Sequence, residues 1–170
     1  VQADANYKVG QGNDSVAADC LSHAQNPAYV GLCAVGPQFT AQQVAQYAGT
    51  QLIPTAIGNY QQAIDQQPNQ DMYYLWLGKT YLDEARYYQL IGQPTNAVPW
   101  FQKAEDTLKA ARALNPYNAD HPMNLGRMFA GWAQYDPSKW PLADQYFRIA
   151  TNLAQHNGRL QDGGVLQQRL

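Results

Sequence analysis

Charge is scarce in this chain. Of 170 residues only 14% are charged, 11 Lys and Arg against 13 Asp and Glu, for a net charge of −2, where soluble domains ordinarily carry about 25%. Glutamate occurs only at Glu84 and Glu105, and amides supply most of the polarity. With no Lys/Arg cluster there is no counterion release to drive nucleic-acid binding, and no basic amphipathic segment suits a membrane surface. Long apolar runs are missing too: no stretch of about 18 apolar residues exists to span a bilayer. Val1 opens a polar segment and not a charged-then-apolar leader. The expectation is a soluble chain without direct membrane insertion, any export signal or anchor lying outside these residues.

Residues that carry chemistry are equally sparse. His23, His121 and His156 are far apart and none has a second metal ligand at helical spacing, so no metal site is expected; solvated or capping roles are their default. Gly10-Gln11-Gly12 and Gly163-Gly164 lack the strand or Gly-Lys-Ser/Thr context of a phosphate cradle and read as turn or tail signals. Asp83 and Glu84 are adjacent, so they point to different sides of a helix and cannot share a proton. Asn13-Asp14-Ser15 is formally a glycosylation sequon, but its simpler role is to cap a helix from Ser15 to Gln25. No catalytic residue and no cofactor is expected, and an enzyme is disfavoured.

Two cysteines, Cys20 and Cys33, are too few for zinc. They flank the break at Asn26-Pro27, and if the segments fold back as a hairpin they face each other. A disulfide closing so short a loop adds about 3 kcal/mol; the alternative is two buried free thiols. The amide-rich, low-charge composition favours the bridge and an extracytoplasmic setting, secreted, cell-surface or periplasmic.

What the chain does have is helical periodicity from Thr40 onward. Thr40 is a good N-cap for a helix from Ala41 to Gly49, and Pro54 predicts a break and a restart at a first-turn position. Further helices are expected over 71–91, closed by Gly92 and Pro94, over 97–114, over 120–135 and over 139–155, the last ended by Asn157-Gly158. This is an all-α chain with short loops between antiparallel neighbours, read as one domain over 1–170: an N-terminal helical hairpin (1–39), helical repeats (40–157) and a C-terminal tail (158–170).

The helices share motifs. Tyr74-Leu77-Gly78-Tyr81 is repeated in its second half by Leu125-Gly126-Phe129, 48 residues on. A small-large-small stripe recurs three times, as Ala56-Tyr60-Ala63, Ala97-Phe101-Ala104 and Ala143-Phe147-Ala150. Small residues let paired helices approach backbone to backbone while the aromatic fills the next layer. These patterns resemble the first and second helices of tetratricopeptide repeats, which implies an α-solenoid of antiparallel helix pairs. The stripes recur at 41 and 46 residues, against about 34 in that family, so helices or loops are lengthened. More narrowly, Tyr60-Gln61-Gln62-Ala63-Ile64-Asp65, the run from Asp71 to Leu77, and Ala113-Leu114-Asn115-Pro116 resemble the repeat regions of bacterial O-antigen-ligase-type membrane proteins. That resemblance, over roughly residues 50 to 157, implies a bacterial source and an extracytoplasmic face; the ligase chemistry sits in membrane helices and is not carried over.

Aromatic residues are more numerous than one core stripe absorbs. Tyr73, Trp76, Tyr87 and Tyr88 are the candidates to line a groove or a subunit contact. Beyond Gly158 the tail carries apolar Leu160, Val165, Leu166 and Leu170 where a solenoid would add a capping helix. Since tetratricopeptide grooves hold peptides, this tail is a candidate to occupy the groove of the next copy. The functional expectation is a structural, non-enzymatic subunit that joins copies head to tail into a filament or oligomer; the alternative is a monomeric adaptor presenting its concave face to another cell-envelope protein.

Overall fold

The computed structural model describes residues 2–26, 28, 33 and 39–167, with side chains described as far as 157. Among these the chain is all-α, without strands. Its elements are α1 (Gln2–Gln25), α2 (Ala41–Tyr47), a π-helical turn (Ala48–Leu52), α3 (Ile53–Gln66), α4 (Asp71–Leu90), α5 (Pro94–Leu114), α6 (Asp120–Ala133), a 3-10 turn (Pro137–Lys139) and α7 (Trp140–Gln167).

Several expected breaks are absent, each for a local reason. The first helix starts at Gln2, so Gly10-Gln11-Gly12 and Asn13-Asp14-Ser15 lie inside α1 and Asp14 caps nothing. Gly10 is useful there: a Cβ on it would lie 2.9 Å from the Tyr60 ring, so the glycine lets α3 close on α1. Pro54 does sit in the first turn of α3, as expected, but the chain does not leave helical geometry before it. The preceding turn widens to π geometry, with the Ile53 N–H reaching back to the Ala48 carbonyl, and this wider turn accommodates a residue that lacks an N–H and crowds the carbonyl four positions back. Pro94 opens α5 at its first position, where its missing donor costs nothing. Gly92 turns the chain out of α4 at φ 76°, in the left-handed region. Lastly, Asn157-Gly158 does not end α7, and Gly163-Gly164 is not a turn: the helix runs through all three glycines to Gln167, each costing about 1 kcal/mol relative to alanine. As the sequence indicated, Thr40 caps α2, accepting from the Gln43 N–H (3.2 Å) while Gln43 Oε1 accepts from the Thr40 N–H (2.9 Å).

The helices pack in pairs, α1 with α3, α4 with α5 and α6 with α7; α1, α4 and α6 lie side by side, α4 touching both. Each pair closes on a glycine. A Cβ on Gly78 would lie 2.6 Å from Leu108, and one on Gly126 would lie 2.6 Å from Phe147. The stripe residues Ala56, Tyr60, Ala63, Ala97, Phe101, Ala104, Ala143 and Ala150 are buried, as are Leu77, Tyr81 and Leu125, while Phe147 is half-buried. Rings tie the layers together: Phe101 of α5 stacks on Trp132 of α6 between successive pairs (5.4 Å between centroids), and Phe129 stacks on Tyr146 within the α6–α7 pair (5.6 Å).

A polar latch recurs where pairs meet. In the first turn of α4, Tyr73 donates to Asp4 of α1 at 2.7 Å; in the first turn of α6, His121 Nε2 meets Asp71 of α4 at 2.7 Å. His121 is therefore a fully buried histidine tying two helix starts together and not a solvated cap. Burial would push the Asp71 carboxyl up, but hydrogen bonds from His121, Asn115 and Asn118 outweigh it and hold the group below the usual range.

Cys20 and Cys33 form a disulfide, with 4.9 Å between their Cα atoms, beside a second core of Leu21, Val44, Ala48, Ile53 and Tyr87. Such a bridge points to an oxidising setting. Among the described residues no helix is long and apolar enough to cross a membrane.

Candidate functional site

The side-by-side helices α1, α4 and α6 leave a groove along α4. Two clefts make it up. The first, of about 300 Å³, lies between α1 and α4 and is lined by Asp14, Ser15, Ala18, Asp19, Trp76, Lys79 and Asp83. The second, of about 400 Å³, lies between α4, α6 and the end of α1; Gln25, Asp83, Arg86, Gln89, Arg127, Gln134 and Tyr135 surround a floor of Leu82, Phe101 and Gly131. Asp83 belongs to both. Residues at positions 76, 79, 83 and 86 recur at helical spacing, so one face of α4 forms the length of the groove.

The groove changes character along its length. At the α1 end carboxylates prevail. Asp14, 3% exposed, accepts from Thr80 Oγ1 at 2.7 Å; burial pushes its carboxyl up to about 6, and Thr80 and the Lys79 charge offset only part of this. Desolvation, reinforced by the charge of Asp14, pushes Asp83 up to about 7, although its side chain keeps 19% exposure and Arg86 and Lys79 pull the other way. Glu84 points to the other side of the helix, where burial raises it to about 7 against the pull of Lys103. Among the described residues no group of three His, Cys, Asp or Glu is arranged to hold a metal ion.

Donors prevail at the α6 end. The Arg86 guanidinium donates to Gln25 Oε1 and to Ser22 Oγ (3.4 Å) and lies 4.0 Å from Asp83. Among the described residues Gln89 Nε2 is buried without a hydrogen-bond partner, and so is Trp76 Nε1 in the first cleft. Arg127 is exposed and has no ion-pair partner among the described residues. Neither a protein-family model, nor a curated protein, nor a solved structure matches this chain. Its chemistry therefore has to be read from its own residues.

Of the aromatics singled out by sequence, only Trp76 lines this groove, with Lys79 Nζ 3.6 Å from its ring centroid. Tyr73 and Tyr87 are buried, so neither is a surface contact. Tyr73 packs on Tyr7 at 5.0 Å, and Tyr87 lies over Gly49, where a Cβ would come within 2.4 Å of its ring. Tyr88 is half-buried against Trp100. The exposed aromatics are others: Tyr117 (74%), Tyr135, Phe39, Tyr47 and Trp140. Sequence reasoning took Asp14 for part of a cap and passed over Arg86 and Arg127; the 3-4 spacing of polar residues on α4 was the available signal, but nothing in it reveals which helices flank that face.

The C-terminal segment offers a second feature. With 28 residues against 14, α7 is twice as long as α6, its partner, or about 42 Å against 21 Å. Asn157 Nδ2 still touches the Tyr117 carbonyl in the α5–α6 loop, at 3.3 Å. Past that level α7 continues as an arm to Gln167, beyond the start of α6. The side chains of Leu160, Val165 and Leu166, and Leu170 altogether, lie outside the described residues.

Proposed function

We propose that this protein is a non-enzymatic, tetratricopeptide-like α-solenoid subunit that joins copies of itself head to tail. The observation that carries the reading is the overhang of α7: a helix twice the length of its partner, whose sequence past that partner includes the apolar residues Leu160, Val165 and Leu166. The three helix pairs, each closed on a glycine, support the solenoid. An arm on one end and a groove elsewhere make a heterologous contact, which propagates into a filament unless the rotation closes it. The disulfide supports an extracytoplasmic place for this assembly, secreted, periplasmic or on the surface of a bacterial cell.

Truncation after Gly158 tests this. The shortened chain stays helical by circular dichroism and runs as a monomer, whereas the full chain assembles; assembly unaffected by truncation refutes the role of the arm. The open polar groove favours a second reading, a monomeric adaptor for another cell-envelope protein. A full-length chain that stays monomeric at all concentrations selects it.

A further inference from the structure

Building on the head-to-tail reading, we propose that the α7 arm of one copy is received by the groove between α1, α4 and α6 of the next. The groove holds donors in want of acceptors. Among the described residues Gln89 Nε2 is buried with no partner and Arg127, lining the same cleft, is exposed and unpaired, while Arg86 is fixed in position by Gln25 and Ser22. A buried donor without an acceptor favours any guest that brings one.

Charge order singles out the guest. On α4 the groove presents Asp83 and then Arg86, one helical turn apart. The arm carries Arg159 and then Asp162, also one turn apart and with the signs reversed. A helix laid along α4 in the same direction brings Arg159 to Asp83, and Asp162 to Arg86 and Arg127. Lengths agree as well: residues 158–167 make about 15 Å of helix, and the groove from Trp76 to Gln89 runs about 20 Å. The floor of the cleft offers apolar contact, being made of Leu82, Phe101 and Gly131. Leu160, Val165 and Leu166 are the arm's candidates for that contact. Arm and groove are different surfaces, so each bound copy leaves one of each free.

Charge reversal in the full-length chain tests the pairing. Arg127→Asp raises the concentration needed for half-assembly by about tenfold, as expected for loss of a complementary charge at an interface. Lys8→Asp, the same change at an exposed α1 position outside the groove, leaves it unchanged. Asp162→Arg weakens assembly like Arg127→Asp, and the double variant Arg127→Asp/Asp162→Arg recovers it. Light scattering reads assembly, and circular dichroism verifies that each variant is folded. If Arg127→Asp assembles like the parent, or the double variant shows no recovery, the groove is not the receptor. The arm's role survives that result as long as truncation after Gly158 still abolishes assembly. If the parent itself never assembles, the head-to-tail reading and this one fall together.

Discussion

The first three helices and the last four solve one packing problem in different ways. In the second half, α4 with α5 and α6 with α7 are neighbours in sequence, joined by short loops and closed by Gly78 on Leu108 and Gly126 on Phe147. In the first half α1 pairs with α3 across a long connection, and the intervening stretch is tied back by the Cys20–Cys33 bridge, the α2 cap and a π turn. Local pairing needs little beyond a small residue at the crossing. Pairing over a long connection carries a larger loop-closure cost, which the covalent tie and added hydrogen bonds offset.

Breaking the bridge separates the halves most sharply. Cys33→Ser should lower stability by about 3 kcal/mol, the loss falling on α1 and α2. Hydrogen exchange should show faster opening of those helices with α4–α7 little changed; a uniform loss of protection would mean that the halves unfold as one unit.

In the second half the counterpart is Ala104→Trp. Ala104 is fully buried in the stripe where α5 meets its neighbours, and overpacking there should cost about 2 kcal/mol. Gln102→Trp, on the exposed side of the same helix, should cost little. Equal tolerance in thermal melts would mean that the stripe does not set the helix spacing.

Much of this was legible before the structure. The Ala-aromatic-Ala stripes, the Thr40 cap and the helix ends at Gly92 and Asn115-Pro116 announce themselves because each is a local rule with a strong residue preference. Long-range closures were not. Nothing near Tyr87 in sequence tells of Gly49, whose missing side chain draws that ring inward. The reading of Asp14 as part of a cap failed because its partner, Thr80, is 66 residues away. Pro54 does open a new α-helix, but a widened turn fills the gap expected before it, and the break expected at Gly158 rested on a modest glycine penalty that the helix absorbs. The groove suffered most, since it is made by three helices that only the tertiary fold brings together.

Acidity should act on both halves in the same direction. Asp14 has its folded pKa raised to about 6, so its protonated form is favoured in the native state. Its contribution is full below the unfolded value near 4 and is lost as pH rises through 6. Between pH 5 and 8 this amounts to about 1 kcal/mol of lost stability, with Asp83 and Glu84 of α4 adding in the same direction. Denaturant melts across that range should show the decline, and Asp14→Asn should make it shallower while Asp83 and Glu84 keep the remainder; an unchanged slope in that variant would remove Asp14 from the account.

The smallest effect is expected at the latch between the halves. Tyr73→Phe deletes the hydrogen bond to Asp4 and keeps the ring packing on Tyr7, so the loss should be about 1 kcal/mol. A double-mutant cycle with Asp4→Ala reads the pair directly; additive effects would show the bond to be without value.

Self-association of the intact chain is the claim on which the rest turns, and sedimentation velocity over a wide concentration range measures it most directly. Head-to-tail contact predicts a distribution that broadens and shifts to larger species as concentration rises, without a preferred stopping size unless a ring closes. A single sharp boundary at the monomer value, unchanged to the highest concentration, would contradict it.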